Sequence, residues 1–185
     1  VYRVWQESKW YPNLLGSDAS LSLRNVAELY EIWCFLEIRR ILISLGFEEV
    51  NNHKALLTNQ GLGVSMTDGF GGAFSFKRKD GIRLRLAHEP LFKTNTRPIK
   101  TWTTAQKPDV VLEATFEDGA EFIWLFDAKY RLSTNEEQDL VPDDAINQLH
   151  RYRDALIHSH KSTTENYEKS RPVFGVYALF PGYYD

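Results

Sequence analysis

The sequence predicts an α/β fold in which a mixed central β-sheet is flanked by helices. Three observations carry that expectation. A long helical pattern precedes a run of strand patterns, two turn signals divide the run into hairpins, and a second helical pattern separates it from a last apolar strand. A helix that joins one strand to a later one implies a crossover connection, right-handed by default. With 185 residues, 43% hydrophobic and 14% aromatic, the chain has the length and composition of one domain with a sizeable core.

The elements follow in order. Val1 to Ser20 mixes aromatics with Pro12 and Gly16 and has no sustained period, so it reads as an irregular or partly helical lead-in. The chain opens without a methionine and stops at "PGYYD" just past an apolar strand. Residues 1–24 are therefore expected to be the lead-in segment of a longer protein, and 25–185 its folded domain. From Ser22 to Leu45, apolar residues recur at Val26, Leu29, Trp33 and Leu36. Ser22 or Asn25 can cap this helix and Gly46 can end it. Phe47 to Val50 suits a short strand, and the Asn- and Gly-rich "NNHKALLTNQGLGVSMTDGFGG" reads as loop.

Next, "AFSFKRKDGIRLRLAHE" alternates apolar and polar residues on both sides of Lys79-Asp80-Gly81. That is a hairpin signal, because glycine tolerates the positive φ such turns demand. A second hairpin spans Asp109 to Phe116 and Glu121 to Lys129 around Asp118-Gly119, and its near-continuous apolar content fits central strands. The acidic "STNEEQDLVPDD" reads as an exposed loop. Asp143 or Asp144 caps a helix running to about His158, "SHKSTTENYEKS" is a further loop, and "RPVFGVYALF" a closing strand.

Composition excludes more than it selects. A formal charge of -3 predicts neither a nucleic-acid binder nor an enzyme for acidic substrates, but the charge is segregated. Lys77 to Lys107 holds nine Lys or Arg against two acids, and Pro108 to Ile146 holds eleven acids against two bases, so a basic surface can lie beside an acidic pocket. The one cysteine, Cys34, sits inside an apolar helical pattern and reads as a buried thiol in a reducing compartment. No apolar run approaches the roughly 18 residues a membrane span needs and no signal peptide opens the chain, so a soluble, cytoplasmic protein is expected.

The segment "KPDVVLEATFEDGAEFIWLFDAKYR" concentrates the chemistry. Burying an unpaired carboxylate or ammonium costs several kcal/mol, so charges on apolar strands need partners, a metal or a task. With the turn at Asp118-Gly119, strand pairing brings Asp109 and Asp127 to the same end of the sheet, and Lys129 shares a face with Asp127. Two nearby carboxylates repel each other and favour a divalent cation such as Mg²⁺. Lys129 beside them can orient or deprotonate a water and stabilise charge growing on a phosphate. Glu113 shares the strand face of Asp109 but lies too far along it for the same metal.

Pro108-Asp109 together with Asp127-Ala128-Lys129 resembles the motif of the PD-(D/E)xK nuclease superfamily. "QLHRY", Gln148 to Tyr152, is similar to the QxxxY element of its RecB-like branch, and residues four apart share a helix face. "LYEIWCF" places Glu31 where families of this superfamily often carry an acidic residue in the first helix; Glu28, one turn earlier, is the alternative. The order of motifs most resembles the nuclease domain of McrC-related restriction proteins. The resemblance implies a restriction-endonuclease-like core and a metal-dependent DNA endonuclease domain of a restriction or defence system. It implies Asp109, Asp127 and the Ala128 carbonyl as ligands to Mg²⁺ or Mn²⁺, with Glu31 holding the water or a second metal. Lys129 activates the water, and Gln148 and Tyr152 orient Lys129 or the scissile phosphate. Lys77, Arg78, Lys79, Arg83 and Arg85 form a basic hairpin suited to the DNA backbone. Specificity and motor activity are expected in other domains or in a partner nucleotide triphosphatase.

Other chemistries find no support. The histidines lack zinc-ligand spacing, "GLGVSMTDGFGG" lacks the lysine of a nucleotide-binding loop, and no GxSxG elbow occurs. The rival class is a non-catalytic DNA-binding or assembly module that keeps the nuclease fold, against which the intact set of motif residues speaks.

Overall fold

The computed structural model describes residues 23–50, 57–60, 63–66, 68–130, 141, 143–161 and 167–181. The expected lead-in up to residue 22, including the Ser22 cap, and most of the acidic loop after Leu132 lie outside the described residues. Helix α1 spans Leu23–Ser44, so it begins inside the expected lead-in and carries Asn25 within its first turn instead of at its cap. Its end is as expected. Gly46 adopts φ 84, Phe47 N–H donates to Leu42 O, and Gly46 N–H to Ile43 O. These bonds satisfy carbonyls that the helix itself cannot, and Phe47 and Leu42 meet in one apolar cluster.

The strands are β1 (Glu48–Glu49), β2 (Leu57–Gln60), β3 (Gly63–Met66), β4 (Gly69–Lys77), β5 (Arg83–His88), β6 (Ile99–Thr101), β7 (Val110–Thr115) and β8 (Glu121–Ala128). Helix α2 (Asp143–Ala155) follows, then β9 (Leu156–Lys161), β10 (Tyr167–Ser170) and β11 (Val173–Leu179). The main sheet has six strands in the order β1-β4-β5-β7-β8-β11. All its pairs are antiparallel except β8 with β11, which are parallel and joined through α2. The mixed sheet with helices is thus present, with both hairpins where the turn signals put them. Gly81 and Gly119 each adopt φ 82 at the two turns.

Three expectations change. The segment from Asn51 to Gly72 reads as loop in the sequence; β2 and β3 pair within it as a hairpin, and β4 begins at Gly69. Helix α2 stops at Ala155, not near His158, because the next residues join β6 in a second, three-stranded sheet, β10-β9-β6. The expected loop at 159–170 supplies parts of β9 and β10, whose paired residues run from His158–Ser170 to Lys161–Tyr167. Each such strand is short and polar, so its edge pairing and not its own periodicity decides its conformation.

Side chains of β7 and β8 alternate between two layers. Val110 and Ala114 join Phe35 and Leu42 of α1, with Phe74, Phe76, Leu84 and Leu86, on one side. Val111, Ile123 and Leu125 join Tyr152 and Leu156 on the α2 side. The period-two alternation of strands is what serves both layers. Among the described residues no helix is long and apolar enough to cross a membrane.

Candidate metal centre

The register of the central hairpin places the site. Val110 pairs with Phe126, so the next positions outward, Asp109 and Asp127, lie opposite each other at one end of the sheet. The Ala128 N–H donates to Asp109 Oδ2 at 2.6 Å, which locks the two strands together there. Asp127 is fully buried, and Lys129 Nζ lies 2.5 Å from its Oδ2 in an ion pair. The backbone N–H of Lys129 donates to Leu179 O at 2.8 Å, so β11 fixes the segment that carries the lysine.

Helix α1 brings Glu31 to the same end. A carboxylate oxygen of Glu31, one of Asp109 and one of Glu89 all lie within 4.8 Å of one another. Glu28 is exposed. Helix α2 contributes Gln148 and Tyr152 as a linked pair, with Gln148 Nε2 donating to the Tyr152 hydroxyl at 2.5 Å. That hydroxyl reaches the Lys107 carbonyl at 3.1 Å and Asp127 Oδ1 at 3.4 Å. The pair therefore touches Asp127 and the segment before Pro108-Asp109.

The electrostatics are those of crowded carboxylates. Burial, with the neighbouring charge of Asp127 adding to it, pushes the Asp109 carboxyl up to about 7, although the Ala128 N–H works in the opposite sense. Glu31 is raised as well, first by burial and then by the charge of Glu89. Burial and the Asp127 charge raise the Tyr152 hydroxyl above its ordinary range, so it stays a neutral hydrogen-bonding group.

Other sequence candidates are placed apart. Glu113 pairs with Arg85 at 3.2 Å, away from the aspartates. Cys34 is buried and its thiol is pushed up to about 12, chiefly by burial, which makes it a packing residue. The basic hairpin turns at the opposite end of the sheet from Asp109, since Arg83 pairs with Thr115 and His88 with Val110. Arg78 is bidentate to Asp80, Lys77 lies 3.9 Å from Glu48, and Lys79 and Arg83 are exposed. A 510 Å³ cavity on the α1 side, lined by Leu42, Phe47, Leu84, Leu112, Trp124 and Tyr177 among others, contains none of the site carboxylates.

A family model for the PD-(D/E)XK nuclease superfamily matches residues 28–185, the part of the chain that holds all of these motifs. The chain belongs to that superfamily. No curated protein and no solved structure matches this chain. The six-stranded mixed sheet with its flanking helices agrees with the restriction-endonuclease-like fold expected of a PD-(D/E)XK member.

Within this superfamily member, Glu89 is the residue that reading the sequence passed over. It directly follows β5, and its N–H donates to the Asp109 carbonyl at 2.7 Å. Its one signal in the sequence is its place at the end of an alternating strand, and that becomes informative once β5 is known to pair with β7.

The Tyr152 link has a measurable consequence. Tyr152→Phe removes the one hydroxyl that joins Gln148, Lys107 and Asp127, and leaves the buried Asp127 and the half-buried Gln148 each short of a bond. A stability loss of about 1–3 kcal/mol is expected in urea unfolding, and a change below about 0.5 kcal/mol would show that the link is incidental.

Proposed function

We propose that this domain is a metal-dependent endonuclease that hydrolyses DNA phosphodiesters within a restriction or defence system. The observation that carries the reading is the meeting of Asp109, Asp127 and Lys129 at one sheet end, with Glu31 within reach. The donor set fits a hard divalent cation. It offers carboxylate oxygens, Asp109 is destabilised as an anion by burial and by Asp127, and the buried Asp127 Oδ2 has the Lys129 ammonium as its charged partner. Asp109, Asp127 and the Ala128 carbonyl would hold Mg²⁺ or Mn²⁺, with Glu31 holding the water or a second ion. When bound, the cation supplies positive charge to phosphate oxygens and lowers the pKa of water.

The chain's own residues do the rest. Lys129, whose side chain is 17% exposed, carries its ammonium beside Asp127, where it can orient the water and stabilise the phosphate as its charge grows. Tyr152, with Gln148 behind it, holds Asp127 and the Lys107 carbonyl in place, which fixes the spacing of the two aspartates. The Gln148–Tyr152 pair supports membership of the RecB-like branch, and the motif order supports a relation to McrC-related restriction proteins. The strand from Arg83 to His88 spans roughly 17 Å, so Lys79 and Arg83 would meet the DNA backbone about five nucleotides from the reacting phosphate. Lys77, Arg78 and Arg85 would join them by exchanging their present acidic partners for phosphates. Further domains or a nucleotide triphosphatase partner would deliver the DNA.

The test uses the chain in its complete system with DNA and Mg²⁺ or Mn²⁺. Cleavage is expected, stopped by chelation and by Asp127→Asn. In calorimetry, Asp127→Ala is expected to take up Mn²⁺ at least about tenfold more weakly than wild type. Equal uptake would remove Asp127 from the ligands, and no cleavage with either metal would favour the non-catalytic module.

A further inference from the structure

Glu89 has a geometry that a surface ion pair does not require. It is the one described non-glycine residue in the left-handed region, with φ 46, a conformation that costs a residue with a Cβ on the order of 1–2 kcal/mol. The turn holds its N–H on the Asp109 carbonyl at 2.7 Å, and a side-chain oxygen lies within 4.8 Å of oxygens of both Glu31 and Asp109. Lys107 Nζ holds Oε2 at 2.9 Å, leaving Oε1 without that partner, and the same ammonium lies 3.6 Å from Asp68. Lys107 is itself anchored through its carbonyl to Tyr152, so the orientation of Glu89 is tied to the same framework as Asp127.

Mutual repulsion in this group is real. Glu89 is the foremost charge that raises Glu31, and the two ammonium groups here, Lys107 on Glu89 and Lys129 on Asp127, are formally outnumbered by the four carboxylates Glu31, Glu89, Asp109 and Asp127. Two buried polar groups border the cluster. Asp127 is fully buried with an Oδ2 that receives no hydrogen bond among the described residues, Lys129 Nζ being its ion-pair partner at 2.5 Å. His88, 7% exposed, brings a ring nitrogen within 4.8 Å of Glu89 and Asp68 oxygens, and its Nε2 has no hydrogen-bond partner among the described residues. Exposed acidic side chains commonly cluster without an ion, but here the cluster is half-buried and the buried His88 beside it has a ring nitrogen, Nε2, with no hydrogen-bond partner among the described residues.

We propose that Glu89 is a further carboxylate ligand of the divalent cation, binding through the oxygen that Lys107 leaves free, on the side of the site that Glu31 and Asp109 share. The inference rests on the metal-centre reading above. Its position after β5 completes the ring, since α1, β5, β7 and β8 would then each supply one carboxylate: Glu31, Glu89, Asp109 and Asp127. A ligand with its own lysine clamp is held in place before the cation arrives, which lowers the ordering cost of binding.

Mn²⁺ titration of the full chain, followed by calorimetry, decides the matter with Glu89→Gln, Glu89→Gly, Asp109→Asn and Asp68→Asn. Glycine accepts φ 46 without strain, so Glu89→Gly is expected to melt no lower than wild type in chelator while losing the carboxylate. Both Glu89 variants are expected to bind Mn²⁺ at least about tenfold more weakly, Asp109→Asn likewise, and Asp68→Asn as wild type. If the Glu89 variants bind as wild type while Asp109→Asn is weakened, Glu89 is only the partner of Lys107 and the inference is overturned while the metal centre stands. If wild type takes up no Mn²⁺, both fall.

Discussion

Lys129→Ala is expected to slow metal-dependent DNA cleavage by about 10² or more while leaving DNA affinity nearly unchanged. The lysine stands beside Asp127 with Nζ at 2.5 Å, at the sheet end where the carboxylates meet, and its backbone is fixed by Leu179. A cation in that place matters most when charge grows on the phosphate, so its loss acts on the rate more than on ground-state binding. The same substitution removes the counter-ion of a fully buried carboxylate. The metal-free variant is therefore expected to unfold more easily, by on the order of 3 kcal/mol. Mn²⁺ is expected to restore much of that loss, because a ligand that binds only the folded state stabilises it. Single-turnover cleavage in the complete system measures the first effect, and chemical denaturation with and without metal the second. Equal cleavage by the variant would make Lys129 structural and end the proposed mechanism. Failure of the complete wild-type system to cleave under any metal would point to the DNA-binding or assembly module instead.

A second large effect lies in the pH dependence of the metal-free protein. The Asp109 carboxyl stands at about 7 in the folded chain against an ordinary value of 3.8, raised by burial and by Asp127. A carboxyl raised on folding binds its proton more tightly in the native state, so its contribution is intact below about pH 4 and is lost as pH rises towards 7. At 1.36 kcal/mol per unit, the full loss across that window is on the order of 4 kcal/mol. Glu31 is raised too and adds in the same direction. Denaturation in chelator between pH 4 and 8 is expected to show this decline as a difference between wild type and Asp109→Asn, in which the group cannot ionise. Mn²⁺ in excess is expected to reverse it, since the cation must compete with the proton below pH 7 and is favoured above. A wild-type curve parallel to that of Asp109→Asn would show that neither burial nor Asp127 raises the Asp109 carboxyl.

The central hairpin is legible in the sequence because two independent signals agree. A glycine turn sets the register and period-two alternation sets the faces, so the opposition of Asp109 and Asp127 can be counted along the chain alone. The helical pair Gln148 and Tyr152 is legible for a similar reason, since four residues make about one turn. In α1 the apolar period marks the helix without fixing which face is buried. Val26, Leu29, Trp33 and Leu36 are only partly buried, while Tyr30, Cys34, Phe35 and Leu42 form the buried stripe. A helix with apolar residues on most of its circumference can turn about its axis at little cost in its own energy, so the sheet beneath it selects the face.

The local code of this chain by itself determined that two helices flank the two hairpins with turns at Gly81 and Gly119, which residues sit two or four apart on one face, and that Asp109, Asp127 and Lys129 would meet. Those are short-range matters of backbone sterics and side-chain period. Tertiary structure alone decided what depends on neighbours distant in sequence. It ended α2 at Ala155 by pairing Leu156–His158 with β6, and it set β5 against β7 so that Glu89 lies over Asp109. It also linked Tyr152 to Lys107 and Asp127, and clamped Glu89 with Lys107. The physical reason is that a short polar strand or a lone carboxylate has no strong preference of its own, and takes its conformation and its charge state from whatever packs against it.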